Sequence, residues 1–231
     1  MLQQTQTERV VPKYLEFLKR FPTWEALAKA PTSDVVKMWM GLGYYRRALN
    51  LHRAAQSVVN DFNGKPPSNA EGLRALPGVG PYTAAAVATF AYGEAVSMIE
   101  TNIRTVYLYA FFPHKEEVSD KEVLECVEET MYRNDPRAWF YALMDLGVVL
   151  KKHTKGIHHR SKHHVKQSRF QGSQRQVRAA VLKLVSHGEE VRVVDVKKKL
   201  PFEAERVAKA IEALCAEGFI SKGTRGTLRI A

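Results

Sequence analysis

Apolar residues recur at helical spacing through most of the chain from Val10 to Leu150, and this periodicity limits the fold more than any motif does. Val10, Tyr14, Phe17, Leu18 and Phe21 follow the i, i+3, i+4, i+7 rule, as do Ala84, Val87, Ala88 and Ala91, and then Ile103, Val106, Tyr107, Ala110 and Phe111. Pro22, Pro31, Pro66, Pro67, Pro77, Pro113 and Pro136 stand at the ends of these stretches, where a fixed φ and a missing N–H start or stop a helix. The expectation is a mostly α domain with short connections and no internal repeat.

From Gly156 to Gly172 the periodicity fails, and "GIHHRSKHHVKQSRFQG" reads as an irregular basic connector. Beyond it, Gln174 to His187 reads as an amphipathic helix and Val193 to Leu200 as a second, with a turn at Pro201. Phe202 to Glu217 reads as a third helix, ended by Gly218, the residue favoured just past a helix C-terminus. "FISK" and "TLRIA" flank the turn "GTRG" as two short strands. Three helices and a β-hairpin in so short a span resemble a winged helix-turn-helix; a small packing or partner-binding domain is the other reading. The expected fold is mostly α plus a small α+β winged helix, divided as 1–152, a basic connector at 153–172, and 173–231.

Charge is concentrated in one place. No acidic residue lies between Asp145 and Glu189, while Lys151, Lys152, Lys155, Arg160, Lys162, Lys166, Arg169, Arg175, Arg178 and Lys183 are all basic. Those ten account for nearly the whole net charge of +11. Such a segment is the footprint of a surface that faces phosphates, or else a solvated basic linker. It lacks the apolar face that a membrane-surface helix needs. No run reaches the roughly 18 apolar residues that cross a bilayer, and the N-terminus lacks a signal-peptide layout, so the expected location is the cytoplasm. Cys126 and Cys215 are too few and too far apart in sequence for a disulfide framework or a paired-cysteine metal site, and read as reduced core thiols.

Two stretches carry chemistry. In "LPGVGPYTAAAVAT", Gly78 and Gly80 allow unusual dihedrals and leave amide N–H groups at the start of a helix, a nest that binds an anion. With Pro77 and Val79 they form a helix-hairpin-helix that grips a phosphate without reading sequence; a tight connection between helices is the alternative. In "VSMIETNIRTV" an apolar run stops at Glu100 and a helix opens near Asn102, which puts a carboxylate at a helix N-terminus, where the dipole favours negative charge. A fixed carboxylate beside a sugar can stabilise, or attack, the oxocarbenium-like state through which a glycosidic bond breaks. Simple helix capping is the other role open to Glu100.

Together "MLQQTQTERVVPKYLEFLKRFPT", "WMGLGYYRRALNLHRAA", "LPGVGPYTAAAVA", "IETNIRTV" and "FYALMDLG" resemble, in order, the MutY-type adenine DNA glycosylases of the helix-hairpin-helix superfamily. The resemblance runs from Met1 to about Leu150. It implies monofunctional removal of adenine paired with guanine or 8-oxoguanine in double-stranded DNA, by a monomer associated with the nucleoid. Thymine or uracil at a G mismatch is the alternative substrate, and non-catalytic DNA binding the alternative function. By the same resemblance Gln3 and Gln4 approach the displaced base and its partner, and Leu42 and Tyr44 wedge into the duplex within the Gly43, Tyr45, Arg46 loop. Pro77 to Gly80 hold a phosphate, Asn102 supports the flipped nucleotide's backbone, and Glu100 is the essential carboxylate. Tyr82 stands where bifunctional relatives carry an imine-forming lysine, a reaction a phenol cannot perform. Lys151, Lys152, Arg160 and Lys162 are expected on the DNA backbone.

Four departures from that family bear on the expectation. Glu100 replaces an aspartate and is one methylene longer. Family members carry a general-acid glutamate two residues before the methionine with which this sequence opens, so a fragment or a misplaced start codon is expected. The four cysteines that hold a [4Fe-4S] cluster after "MDLG" are replaced by His153, His158, His159, His163 and His164 among cations, so no cluster and no metal is expected. The winged helix stands where relatives carry an 8-oxoguanine-recognition domain. Its third helix bears Glu203, Glu205, Glu212 and Glu217 against Arg206 and Lys209, a poor balance for a major-groove insert. Lys197 to Lys199, Lys222, Arg225 and Arg229 are better placed for phosphates, and protein contact is the other reading of this domain.

Overall fold

The punctuated periodicity becomes a succession of short helices in a computed structural model that describes residues 1–154, 156–162, 168–187 and 190–231. In chain order they are α1 Thr7–Arg20, α2 Trp24–Lys29, α3 Thr32–Trp39, α4 Arg46–Asp61, α5 Ala70–Arg74, α6 Pro81–Tyr92, α7 Thr101–Ala110, α8 Asp120–Thr130 and α9 Pro136–His153. There follow α10 Gln174–Ser186, β1 Val191–Arg192, α11 Val193–Lys199, α12 Ala204–Ala216, β2 Ile220–Lys222 and β3 Thr227–Ile230. The expected class, mostly helical with a small sheet, is the one found. Two compact units emerge: Met1–Gly64 with Gln167–Ala231, and Lys65–Lys166. These cut across the segments expected from composition.

In the first unit, α1 to α3 close over Val10, Phe17, Phe21, Leu27, Val35, Trp39 and Leu42. A second core joins Val36 of α3 and Leu49 of α4 to Val177, Val181, Val196, Val207, Leu214, Phe219 and Leu228 of the C-terminal segment. Each such side chain taken from water contributes about 1.5–3 kcal/mol, so packing fastens this segment to α3 and α4. Arg178 adds a forked pair to Glu217 at 2.7 and 2.9 Å, and Arg46 reaches the same carboxylate at 3.2 Å. Glu217 is therefore bound within the unit, and only part of the acid read in the third helix of the winged helix faces out. The three strands pair antiparallel in the order β1-β3-β2, with Val191 opposite Leu228 and Ser221 opposite Arg229. Helix, strand, two helices and a two-stranded wing make up the winged-helix arrangement. The two-residue β1 was not anticipated.

The second unit buries Met98, Ile103, Tyr107, Leu108, Val123, Val127 and Phe140 between α7, α8 and α9. Its helices start on clear signals. Asn69 caps α5, Asp135 with Pro136 opens α9, and Ser119 with Glu122 forms a capping box on α8. The first part of the expected connector is ordered on this unit. Gly156 turns in the left-handed region, Ile157 is buried, and a short 3-10 turn at Ile157–Arg160 leads to a parallel bridge between Ser161 and Val118. Lys155, His163, His164 and Lys166 lie outside the described residues, as does the side chain of His158.

The Lys115 ammonium first, then the Ser119 backbone and hydroxyl, hold the Glu122 carboxyl down at about 2 from its ordinary 4.5. Because the folded value is the lower one, the stability it gives is complete above about pH 4.5 and drains away as pH falls toward 2. Glu122→Gln is expected to lower the thermal midpoint at pH 6, with the gap to wild type closing at pH 3 in parallel melts.

Candidate active site and nucleic-acid interface

Glu100 stands just before the first residue of α7 and turns its side chain onto the helix. Its Oε1 accepts the Asn102 N–H at 2.6 Å and the Ile103 N–H at 2.8 Å. The cap satisfies two donors that the helix itself cannot, and leaves Oε2 as the oxygen with which a reactant can be met. Tyr82, in the first turn of α6 and at the edge of solvent, lies within electrostatic range of Glu100. Burial, then the charge of Glu100, raises its phenol above the ordinary value, so Tyr82 is a neutral hydroxyl at physiological pH.

The turn that feeds α6 takes the conformation its glycines permit. Gly78 has φ +76°, Val79 N–H bonds the Leu76 carbonyl at 3.1 Å, and Gly80 opens α6 as an extended cap with no side-chain partner, followed by Pro81. Gly78 and Gly80 are both exposed and Pro77 and Val79 half-buried, so backbone rather than side chain is what the turn presents.

Behind Glu100, α9 comes against the start of α7. A Cβ on Gly147 would fall 2.7 Å from Asn102 Cα, and one turn later Lys151 Nζ donates to Asn102 Oδ1 at 2.5 Å. Arg104 forks onto Asp120 at 2.8 Å through two nitrogens and ties α7 to α8.

The remaining expected residues lie in the first unit. Gln3 and Gln4 are exposed in the N-terminal turn, and Gln4 has φ +54°. In the loop between α3 and α4, Gly41, Gly43 and Tyr44 all have positive φ. Tyr44 is 41% exposed whereas Leu42 is 3% exposed and packed in the core, so Leu42 would have to leave that core to enter a duplex. Tyr45 is half-buried between the two cores of the unit.

Arg47, unmarked in the sequence, organises both pieces. Its guanidinium donates to the carbonyls of Met1 at 2.7 Å, Gln3 at 2.6 Å and Gly43 at 3.0 Å, and to Thr5 Oγ1 at 2.9 Å. It also lies over the rings of Trp39 and Tyr44. Arg47→Ala is expected to cost about 2–3 kcal/mol in denaturant unfolding, since several charge-assisted bonds go at once. Arg47→Lys should recover little of it, because an ammonium lacks the planar fork.

Of the other cations, Lys152 and Lys162 are exposed. Arg160 donates to the carbonyls of Lys115 and Leu108 at 3.0 and 3.3 Å, and so clasps the end of α7. Among the described residues no group of three or more His, Cys, Asp or Glu could hold a metal ion. A [4Fe-4S] cluster needs four thiolates; the whole sequence offers Cys126 and Cys215, one in each unit, so the donor set does not fit it.

Comparison with known proteins identifies the family. The family model for HhH-GPD superfamily base excision DNA repair proteins matches residues 1–133. The adenine DNA glycosylase of Mycobacterium tuberculosis H37Rv is 47% identical over 106 residues, 46% of this chain and 35% of that protein. That of Mycolicibacterium smegmatis is 36% identical over 151 residues, 65% of this chain and 52% of that one. The human adenine DNA glycosylase is 42% identical over 107 residues, 46% of this chain and 20% of that protein. The chain thus spans about half or less of the length of these curated relatives. A thermostable thymine-DNA glycosylase of known structure is 29% identical, with a TM-score of 0.56 over 64% of this chain and 70% of the other. Endonuclease III in a trapped covalent intermediate with DNA shares the fold at a TM-score of 0.54, over 65% of this chain and 68% of the other, and 18% identity. Among the described residues no helix is long and apolar enough to cross a membrane. By sequence match and by fold, the chain belongs to the HhH-GPD superfamily of base excision DNA repair proteins.

Proposed function

We propose that this chain binds duplex DNA at a mismatch and hydrolyses the N-glycosidic bond of adenine paired with guanine or 8-oxoguanine, without cutting the strand. The observation that carries this reading is Glu100, fixed at the α7 N-terminus with one oxygen committed to the helix and the other uncommitted. As the bond between the base nitrogen and C1′ breaks, the electron pair leaves with the base and positive charge spreads over C1′ and the ring oxygen. A carboxylate held in place stabilises that charge, or bonds C1′, without reorganising. Water then adds to C1′ and loses a proton, the departed base takes up one in exchange, and the products are the free neutral base and an abasic sugar. Tyr82 offers no amine to condense with the sugar aldehyde, which favours hydrolysis alone. In the hairpin the Gly78 and Gly80 N–H groups are the donors offered to a phosphate, and Tyr44 offers an aromatic surface for the opened stack.

The high identity to adenine DNA glycosylases supports adenine as the base; the 29% identical thymine-DNA glycosylase keeps thymine opposite guanine as the second reading. Duplexes carrying A opposite 8-oxoguanine, A·G, T·G or U·G, incubated with the protein and then treated with alkali, separate the two. Strand breaks that depend on alkali and favour the adenine duplexes are expected. Equal breakage with and without alkali overturns the monofunctional assignment, and binding without breakage leaves a DNA-binding protein only.

A further inference from the structure

Lys151 belongs to the basic run whose plain reading is contact with phosphate, yet its ammonium points into the protein. Gly147 and Lys151 are four residues apart on α9 and so share one face of it. The glycine lets the helix backbone approach Asn102 more closely than any side chain would allow, and the lysine then closes on the Asn102 side chain at 2.5 Å. A lysine ammonium has donors only. Its partner must therefore be the amide oxygen, which settles the orientation of a group with two possible faces: Oδ1 is held by Lys151, and the two N–H donors of Nδ2 are left for another acceptor. The lysine is half-buried. Burial lowers its pKa first, and the nearby Glu100 carboxylate and Arg104 guanidinium act in opposite directions after that.

We propose that Lys151 is a positioning residue that turns the Asn102 amide so that its side-chain N–H donors meet an oxygen of the substrate backbone near Glu100. This rests on the glycosylase reading above. It gives the basic segment after "MDLG" a role other than direct phosphate contact, at least at its first lysine. Arginine keeps a donor at this place, methionine keeps the length without one, and Asn102→Asp keeps a partner for Lys151 but replaces the N–H donors by an oxygen.

The test measures duplex affinity across a salt series, and single-turnover base release, for wild type, K151M, K151R and N102D. K151M is expected to bind about tenfold more weakly with an unchanged slope of log affinity against log salt, and K151R to recover to within about threefold of wild type. N102D is expected to lose at least as much as K151M. A slope shallower by about 0.9 in K151M would mean a direct phosphate contact and would overturn the proposal. So would a K151M protein indistinguishable from wild type, or loss in K151R equal to that in K151M. Wild type that neither binds nor cleaves the mismatch duplexes removes the functional reading itself, and this inference with it.

Discussion

Glu100→Gln is expected to slow base release by roughly 10³-fold while duplex affinity stays within about threefold. Glutamine has the same shape, and its amide oxygen can go on accepting the Asn102 and Ile103 N–H groups, so the start of α7 should keep its place. On the proposed mechanism, what disappears is the negative charge opposite the developing oxocarbenium. A loss of that size corresponds to about 4 kcal/mol of transition-state stabilisation, within the range of a single preorganised electrostatic group. Single-turnover rates on a duplex with adenine opposite 8-oxoguanine measure the effect, and unchanged melting shows that the fold is intact. A glutamine variant that releases base at the wild-type rate would reduce Glu100 to a helix cap. Glu100→Asp asks a different question, because the shorter side chain cannot cap from the same position and reach the same point in the site. It should be slower than wild type and faster than the glutamine variant.

The second large effect is expected at Gly147. A methyl group there would lie 2.7 Å from Asn102 Cα, against helix backbone rather than a movable side-chain tip. Either α9 backs away from α7, which opens the core around Ile103 and Phe140, or the start of α7 is pushed forward with Glu100 on it. Overpacking of this kind costs about 3 kcal/mol, which for a chain of this length lowers the thermal midpoint by roughly 6–12 °C. Base release should fall as well, since a small displacement of a catalytic group is expensive. Calorimetry and single-turnover rates on Gly147→Ala check both parts, and an unshifted midpoint would mean that the close approach is not a constraint on folding.

The parts of this molecule that were legible in the sequence are those whose signal is local. Helical spacing around Val10, Ala84 and Ile103 gave α1, α6 and α7 their places, and an apolar run ending at Glu100 marked the cap. The hairpin could be read because a turn with Gly78 in the left-handed region has few sequence solutions. What stayed hidden depends on partners distant in sequence. Arg47 looks like the second of two surface arginines, because nothing nearby shows that its targets are the carbonyls of Met1 and Gln3. Gly147 looks like a helix-weakening residue until Asn102 is set against it. Lys151 sits in a run of cations in which a single inward-facing member has no local mark. Arg160 and Ile157 belonged to a stretch without periodicity, and their order comes from the α7 end and Val118. The two-residue β1 is too short for any alternation to register.

The core shared by α3, α4 and the winged helix has a consequence for the order of events during synthesis. Val36 and Leu49 leave the ribosome well before the residues that cover them, from Val177 to Leu228. Between them lies Lys65–Lys166, a unit with its own core, which can close while the N-terminal helices still lack their cover. Joining the ends across roughly a hundred residues adds little to the loop-closure entropy but makes the contact late. Until the C-terminal segment arrives, α3 and α4 lack the cover of this core, and the apolar surface left open is of the kind that favours aggregation.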